Sequence, residues 1–363
     1  MKILMVHSTE KVSGGENVSL GIADCLRGVF DFVFFAPAKP VSMERFVGYG
    51  VFYPKGRGFM NLLRELKEVI NSERPDIVHA QGARAALFTK MAFIEGAHRA
   101  KFVYTLHGIH FVRKKFPRNF ISLLIERFAG GLIDALVCVG EDDLELARTL
   151  HLAKNDKLFL IENGVKVEGV GEEDKRRLRE ELSLGGEKII VTVCRLHYQK
   201  DVETLIRAID LLRDRNVRLL VVGDGPKRRE LEELSKSLDL GGAVDFLGNR
   251  NDTEVFLSIA DIFVLSTNWE GQPLVVLEAW ARKKPVVVSN VHGVKDIVQD
   301  GENGLLFQHK NPDDLSRKIA WLFDNENAGA RMGENGYRLV RSKYTVEIMA
   351  GHYGDLYLKL TND

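Results

Sequence analysis

Residues 262–289 read IFVLSTNWEGQPLVVLEAWARKKPVVVS, a run that predicts a strand, a tight turn, a helix and a second strand. Glu270 falls in the turn after the first apolar strand, and Glu278 lies more than one helical turn further on. Gly271 and Pro273 favour a tight turn with proline at the first helical position. Because this turn separates the two carboxylates, both can face one crevice at the carboxyl end of the strand.

The start of this predicted helix favours negatively charged ligands. Backbone N–H groups without a partner inside the helix point out of its first turn, where the helix dipole is positive. Together with the two carboxylates, this helix start suits a ligand with hydroxyl groups at two ends and phosphate in the middle.

The same alternation of short apolar runs and charged, amphipathic stretches continues along the whole chain. It predicts an α/β protein with parallel sheets that are covered on both faces. Two successive sets of about six strands predict two doubly wound domains. The candidate strands are residues 2–7, 32–36, 77–80, 102–106, 135–139, 158–162, 189–194, 218–222, 244–247, 262–266, 285–289 and 304–307.

The length of 363 residues allows two domains of about 150 to 180 residues each. A stretch rich in glycine and charge, residues 167–186, predicts a linker near residues 165–185. We therefore expect an N-terminal domain over residues 1–165 and a C-terminal domain with its linker over residues 166–343. Residues 344–363 have helical apolar spacing and predict a helix that closes the fold.

Composition excludes several classes of protein. Lys plus Arg and Asp plus Glu number 51 each, so the net charge is zero, which disfavours a general nucleic-acid binder. The N-terminal apolar run is too short for a signal peptide. Cys25, Cys138 and Cys194 are widely spaced, which indicates a reduced, cytoplasmic protein. Many Lys and Glu with few Gln are typical of thermophilic proteins.

Two cations follow the first strand of the second half, Arg195 and Lys200. We expect both to point into the crevice that Glu270 and Glu278 face, because ligands bind outside the carboxyl ends of parallel strands. A guanidinium can clamp phosphate with two hydrogen bonds, and an ammonium adds a mobile point charge. The alternative is a pair of solvated basic residues in a loop, but the downstream carboxylates favour the phosphate interpretation.

Glycine-rich turns follow two other strands. The Gly-Asp-Gly-Pro sequence at residues 223–226 resembles part of a dinucleotide fingerprint, but Arg228 stands in place of the third glycine. A tight turn is the favoured interpretation there, and an NAD-dependent dehydrogenase is disfavoured. The paired glycines Gly14 and Gly15 follow the first strand, where they let backbone amides approach a ligand closely.

His107 ends another predicted strand beside a glycine, a good position for a group aimed into the crevice. A lone histidine is more often structural. His110, three residues on, raises the possibility of a metal site, but no Cys or carboxylate joins the two histidines locally.

Taken together, these residues resemble the retaining, nucleotide-sugar-dependent glycosyltransferases of family four, also called group 1, which have the GT-B fold. The resemblance covers nearly the whole chain and is densest over residues 189–307. It implies two doubly wound Rossmann-like domains that face each other across a deep cleft. The motifs that carry it are Arg195 to Lys200, residues 223–226, Phe246-Leu-Gly248, the Glu270-x7-Glu278 pair, and residues 300–307.

The resemblance implies a role for each candidate residue of the second half. Arg195 and Lys200 would bind the donor diphosphate and stabilise its charge as the bond to the sugar breaks. Glu270 would accept hydrogen bonds from sugar hydroxyls, and Glu278 from ribose hydroxyls. Backbone at Gly271, Gln272, Pro273 and Leu274 would surround the sugar and diphosphate, and backbone near Asn249 and Arg250 would border the base.

In the first half, Gly14 and Gly15 would line the N-terminal wall of the site, and His107 would lie near the reacting sugar. The implied reaction moves a sugar from a nucleoside-diphosphate sugar, the co-substrate, to a hydroxyl of a glycan or lipid-linked glycan. The family uses Arg and Lys where other transferases use a metal, and the chain has no Asp-x-Asp. We therefore expect no metal and no cofactor.

Two residues depart from the pattern of the family. Cys194 stands where the family usually has glycine before the arginine, and Gln272 stands where a larger apolar residue is common.

Two alternatives share this architecture. One is a nucleotide-sugar 2-epimerase, and the other is a non-catalytic protein that binds nucleotide sugars.

On the acceptor side, residues 111–125 mix cations with apolar residues near His107 and could touch an anionic membrane that contains a lipid-linked acceptor. The alternative is a basic loop that leads into a buried helix.

Overall fold

Buried runs of apolar, largely β-branched residues form the strands of two parallel sheets in this computed structural model. The structure describes residues 1–7, 14–36, 46–54, 58–96, 98, 100–109 and 118–362. The chain divides into two units, Met1–Gly164 with Val346–Asp363, and Val165–Thr345. The chain therefore passes between the units twice, and its last helix belongs to the first unit.

The first unit contains a seven-stranded parallel sheet with the order β3-β2-β1-β4-β5-β6-β7. Its strands are β1 Lys2–Val6, β2 Asp31–Phe35, β3 Gly50–Phe52, β4 Ile77–Gln81, β5 Lys101–Leu106, β6 Ala135–Cys138 and β7 Leu158–Leu160. Its first five helices are α1 Gly14–Leu26, α2 Phe59–Glu73, α3 Ala83–Ile94, α4 Arg118–Gly130 and α5 Glu141–Thr149.

The second unit contains a six-stranded parallel sheet with the order β10-β9-β8-β11-β12-β13. The strands are β8 Lys188–Val193, β9 Val217–Val222, β10 Val244–Gly248, β11 Ile262–Leu265, β12 Val286–Ser289 and β13 Leu305–Phe307. The helices are α6 Glu172–Glu181, α7 Val202–Asp210, α8 Arg228–Ser237, α9 Thr253–Ile259, α10 Leu274–Trp280, α11 Pro312–Asp324 and α12 Glu326–Lys343. The last helix, α13 Val346–Asn362, returns to the first unit.

In both sheets the strand order reverses beside the first strand of the unit. β1 lies between β2 and β4, and β8 lies between β9 and β11. Helices that connect the strands must pass to opposite faces at such a point, which leaves a crevice at the carboxyl ends of the two strands. The topology therefore places candidate ligand sites at the ends of β1 and β4 and at the ends of β8 and β11.

The α/β, doubly wound fold class is confirmed, and all twelve predicted strands are present with ends that differ by at most two residues. The structure adds β3, a three-residue edge strand that is partly exposed and too short to give a periodic signal. Within the predicted linker, Glu172–Glu181 form α6, whose Leu178 is buried in the second unit. None of the helices in the described part of the chain is both long and apolar enough to cross a membrane.

Trp280, the last residue of α10, anchors the helix layer of the second unit. Its side chain is fully buried, and its indole N–H donates a hydrogen bond to the carbonyl oxygen of Asn303 at 2.8 Å. Gly336 of α12 packs directly against the indole, since a Cβ at this position would lie 2.2 Å from Cδ1. The absence of a side chain at Gly336 therefore sets how closely α12 approaches α10.

We expect Gly336→Ala to lower the free energy of unfolding by about 1 to 3 kcal/mol, because the added methyl group overpacks a buried indole. Thermal denaturation followed by circular dichroism measures the change. Gly351→Ala on α13 is the matched control, since a Cβ there would meet nothing within 4 Å. It should leave stability unchanged or raise it by up to about 1 kcal/mol through helix propensity. Equal melting temperatures for the Gly336 variant and wild type would contradict this packing account.

Candidate functional site

The turn after β11 is held rigidly by the loop that follows β12. The Glu270 N–H donates to the carbonyl oxygen of His292 at 3.2 Å, and the Ser289 hydroxyl donates to the carbonyl oxygen of Thr267 at 2.6 Å. Gly293 has a φ of 78°, and a Cβ there would lie 2.3 Å from the carbonyl oxygen of Gly271. Only glycine fits this close approach, which fixes the backbone that carries Glu270.

The same turn holds the loop that follows β8. The Asn268 backbone N–H donates to the carbonyl oxygen of Gln199 at 2.7 Å. The Asn268 side-chain amide donates to the carbonyl oxygen of Tyr198 at 2.6 Å. The Thr267 hydroxyl donates to the carbonyl oxygen of Gln199 at 2.9 Å. These polar side chains were not identified from the sequence, although they stand directly after β11, where parallel strands place ligand sites. They join the two loops of the crevice into one structure.

Lys200 and Glu270 meet in this crevice. The Lys200 Nζ lies 2.6 Å from the Glu270 Oε1, and the two side chains are only 19% and 8% exposed. The Gln199 amide donates to the carbonyl oxygen of Trp269 at 2.8 Å and lies 3.5 Å from the Glu270 Oε2. The two residues therefore share one crevice, and they also form an ion pair that the sequence pattern did not predict.

Arg195 stands at the same end of β8 but is exposed. Its guanidinium forms no hydrogen bond or ion pair with any residue among those that the structure describes. The backbone beside it is fixed by the glycines of the Gly-Asp-Gly-Pro turn: a Cβ at Gly223 would lie 1.9 Å from the Cys194 carbonyl oxygen, and one at Gly225 would lie 2.3 Å from that of Leu196. This turn therefore supports the Arg195 loop structurally, as the tight-turn interpretation predicted.

Cys194 occupies the position between β8 and Arg195. Burial raises the pKa of its thiol to about 11, although the nearby Lys200 ammonium acts in the opposite direction. The thiol is therefore neutral at physiological pH. It adds no charge to the crevice beside the two cations.

Glu278 lies on α10, half-buried. Its carboxylate accepts no hydrogen bond from any residue in the described part of the chain. Desolvation raises the pKa of this carboxyl, the like charge of Glu254 raises it further, and Arg282 partly opposes both. The Arg282 guanidinium donates instead to the carbonyl oxygens of Glu278, at 3.3 Å, and Lys166, at 3.5 Å. Glu278 is therefore a desolvated carboxylate, and hydrogen bonds donated by hydroxyl groups would stabilise its charge.

The helix that carries Glu278 differs from the prediction at its start. Pro273 is the residue before the helix rather than its first residue, and α10 is only seven residues long. Proline suits either position because it has no N–H to leave unpaired. Gly271, Gln272 and Pro273 are buried, and Leu274 is half-buried, so this backbone lines the crevice from within the fold.

The two residues after β10 differ in what they can offer a ligand. The Arg250 guanidinium pairs with Glu181 at 2.7 Å and with Asp252 at 2.8 Å, and it lies over the Phe256 ring. These carboxylates raise its pKa further above the ordinary arginine value. The Arg250 side chain is therefore committed to ion pairs, whereas Asn249 is exposed.

In the first unit, His107 packs against the beginning of α1. A Cβ at Gly15 would lie 3.0 Å from the His107 Nε2, so the imidazole contacts the helix backbone directly, next to Gly14. The His107 Nε2 is 2.7 Å from the Oε1 of Gln81, which ends β4. Gln81 was missed in the sequence, where its position at the end of a strand beside the reversal point was the available signal.

Residues 111–117 of the basic, apolar segment lie outside the described residues, and so does His110. The rest of that segment belongs to α4, where Phe120, Ile121, Leu124 and Ile125 are exposed and Leu123 is half-buried against the core of the first unit. The helix is therefore buried on one face only, which differs from the expectation of a buried helix. No group of three or more His, Cys, Asp or Glu in the described part of the chain is arranged to hold a metal ion.

Comparison with known proteins gives matches in both halves. A family model described as Glycosyltransferase Family 4 matches residues 12–168, and one described as Glycosyl transferases group 1 matches residues 174–339. The putative glycosyltransferase EpsD of Bacillus subtilis is 28% identical over 303 residues, which cover 80% of this chain and 79% of that protein.

Two further proteins are informative. A Campylobacter jejuni relative, N,N'-diacetylbacillosaminyl-diphospho-undecaprenol alpha-1,3-N-acetylgalactosaminyltransferase, is 28% identical over 69% of this chain and 68% of its own. The crystal structure of Anabaena HepE in complex with UDP-glucose superposes with a TM-score of 0.87 at 20% identity, covering 99% of this chain and 100% of that one. The superposition establishes the overall architecture.

We expect Glu278→Gln to raise the melting temperature at pH 7 to 8 by about 1 to 2 °C. The folded protein holds the Glu278 proton more tightly than the unfolded chain does, so ionisation of this carboxyl costs stability above its ordinary pKa. The gain should shrink as the pH falls toward about 4, where the carboxyl is protonated in both states. Differential scanning calorimetry across this pH range measures it. The exposed control Glu302→Gln should show no such trend.

Proposed function

The chain belongs to the group 1, family 4 type of glycosyltransferases with the GT-B fold, and we propose that it is a retaining enzyme that uses a nucleoside-diphosphate sugar as donor. The observation that carries this proposal is the crevice at the ends of β8 and β11. There the Lys200–Glu270 pair, whose side chains are 19% and 8% exposed, stands at the same strand ends as the exposed Arg195, whose guanidinium pairs with none of the described residues. Two cations and a fixed carboxylate suit a ligand that combines a diphosphate with sugar hydroxyls.

Arg195 and Lys200 bind the donor diphosphate in this proposal. The ammonium of Lys200 has three N–H donors and uses one on Glu270, so two remain for phosphate oxygens. The guanidinium of Arg195 can add a bidentate contact. Negative charge grows on the diphosphate as its bond to the sugar breaks, and cations already in place stabilise that charge without reorganisation. Because these two residues supply the charge, we propose that catalysis needs no metal.

The two carboxylates recognise opposite ends of the donor. Glu270 keeps acceptor capacity beyond its contact with Lys200 and binds hydroxyls of the sugar. Glu278, which has no donor from the described residues, accepts from the ribose hydroxyls. The backbone of Gly271 to Leu274 lies between them, and that of Asn249 and Arg250 borders the base. In the first unit, His107, Gly14 and Gly15 face the reacting sugar.

We expect Arg195→Ala to reduce kcat about 100-fold to 1000-fold with a smaller effect on donor KM, because it removes a contact that strengthens in the transition state. Glu278→Gln should raise donor KM about tenfold or more, since it weakens a hydrogen bond to a charged group. Nucleotide release measured against a panel of UDP-, GDP- and ADP-sugars tests both. Arg229→Ala, an exposed arginine of the same unit, is the control and should keep wild-type kinetics.

Mass analysis of the products separates the alternatives. Free nucleotide with an elongated acceptor supports transfer, a new nucleotide-sugar epimer would identify a 2-epimerase, and binding without turnover would identify a non-catalytic protein. The same assays with EDTA test metal independence, and a loss of activity that Mn²⁺ restores would refute it. Retention is read from the anomeric configuration of the product by NMR.

We further propose a lipid-linked acceptor and contact with the cytoplasmic face of a membrane. On α4, Phe120, Ile121, Leu124, Ile125 and Phe128 are between 37 and 53% exposed and recur at a spacing that places them on one face of the helix. The sequence before α4 is rich in Arg and Lys, which attract anionic lipids. The Campylobacter jejuni relative, named for a diphospho-undecaprenol compound, supports this acceptor class.

We expect the protein to co-sediment with vesicles that contain anionic phosphatidylglycerol at low salt, and to bind less at high salt, since screening weakens the basic contribution. The double variant Ile121→Ser/Leu124→Ser should reduce binding, because each substitution removes buried apolar area. Leu358→Ser, at an exposed leucine of α13, is the matched control and should bind as wild type does. No binding by wild type at either salt concentration would rule out the membrane proposal.

A further inference from the structure

A chain of hydrogen bonds lies behind His107 in the first unit. The Gln81 Oε1 is 2.7 Å from the His107 Nε2, and the Gln81 Nε2 is 3.2 Å from the Nε2 of His79. The same His79 Nε2 is 2.7 Å from the Thr105 hydroxyl, and its Nδ1 is 2.7 Å from the Tyr357 hydroxyl. Apart from His107, these side chains are buried. Gln81 thus connects His107 to a polar network inside the fold.

His79 is the neutral centre of this network. Its side chain is completely buried, and desolvation, assisted by repulsion from His107 and His7, lowers its pKa to about 3. A neutral imidazole has one donor and one acceptor nitrogen. The His79 Nε2 faces the Gln81 amide and the Thr105 hydroxyl, and its Nδ1 faces the Tyr357 hydroxyl, so one ring nitrogen donates and the other accepts within this network.

The far side of the network comes from the last helix of the chain. Tyr353 and Tyr357 of α13 are fully buried, and the Tyr353 hydroxyl lies 2.9 Å from the Thr105 hydroxyl, to which it can donate. Thr105 is thereby free to donate its own proton to His79. Burial raises the pKa of both tyrosines, so their hydroxyls keep their protons. All members of the network are therefore uncharged across the physiological pH range.

The orientation of the Gln81 amide couples the two histidines. Its oxygen and nitrogen face opposite ways, so the group that it presents to the His107 Nε2 depends on the group that it presents to His79. A carboxamide oxygen beside the His107 Nε2 requires the Nε2–H tautomer, and a carboxamide nitrogen there requires the Nδ1–H tautomer. The close backbone of Gly15 limits rotation of the ring from the other side.

We propose that Gln81 is a positioning residue that fixes the ring orientation and a single tautomer of His107. The consequence for catalysis rests on the proposed function, in which His107 faces the reacting sugar. A fixed tautomer presents the same nitrogen to the substrate in every turnover, so no rotamer or proton has to rearrange before reaction. The buried network behind Gln81 explains how an uncharged side chain can impose this choice.

The test compares Gln81→Met with wild type. Methionine has a similar volume and lacks both amide groups. Long-range ¹H–¹⁵N NMR at alkaline pH, where histidines are neutral, reports the tautomer of His107, assigned by comparison with His107→Gln. We expect a single tautomer in wild type and a mixture of tautomers in Gln81→Met. In transfer assays kcat should fall about 10-fold to 100-fold while donor KM changes less than about twofold.

Two further variants separate positioning from general destabilisation. Gln81→Glu presents only acceptor oxygens to the His107 Nε2 and should give the Nε2–H tautomer alone. Tyr353→Phe removes a hydroxyl from the far side of the network and should leave the His107 tautomer unchanged. A mixture of tautomers in wild type, or a single tautomer in Gln81→Met, would overturn the proposal whether or not transfer is detected. Absence of transfer by wild type, with the tautomers as expected, counts only against the proposed function.

Discussion

The candidate site of the second unit depends on one largely buried ion pair, Lys200–Glu270, that is held between two loops. Removing Lys200 and Glu270 from water costs several kcal/mol for each ion, and their attraction offsets this only when the geometry is held closely. Asn268 and Thr267 tie the β8 loop to the β11 turn, and Gly293 permits the backbone contact behind it. The surrounding hydrogen bonds therefore serve to keep one ammonium and one carboxylate in contact at the carboxyl ends of the strands.

Glu270 and Glu278 stand in opposite electrostatic conditions. Glu270 has its countercharge within the protein, whereas Glu278 is desolvated without a hydrogen-bond donor from the described residues. A desolvated, unpaired acceptor lowers the stability of the empty protein and strengthens a contact made by a bound hydroxyl. Such a residue is expected where binding has been favoured over stability.

The first unit reaches a defined geometry by the opposite means. The groups around His79 are neutral, and the direction of each hydrogen bond depends on the directions of its neighbours. Buried polar networks of this kind specify one arrangement because any unsatisfied member would be costly. The last helix supplies two of the hydroxyls, so the end of the chain completes the structure behind His107.

The sequence by itself determined the two doubly wound sheets and the residues at their strand ends, because buried parallel strands and the turns after them leave a local pattern. For the same reason it predicted Glu270, Arg195, Lys200 and His107 as site residues, and Glu278 on the helix after the turn. Only the tertiary structure decided that Lys200 pairs with Glu270, that Arg250 is committed to Glu181 and Asp252, and that Gln81 contacts His107. These contacts join residues far apart in the chain, and no local periodicity records which side chains meet.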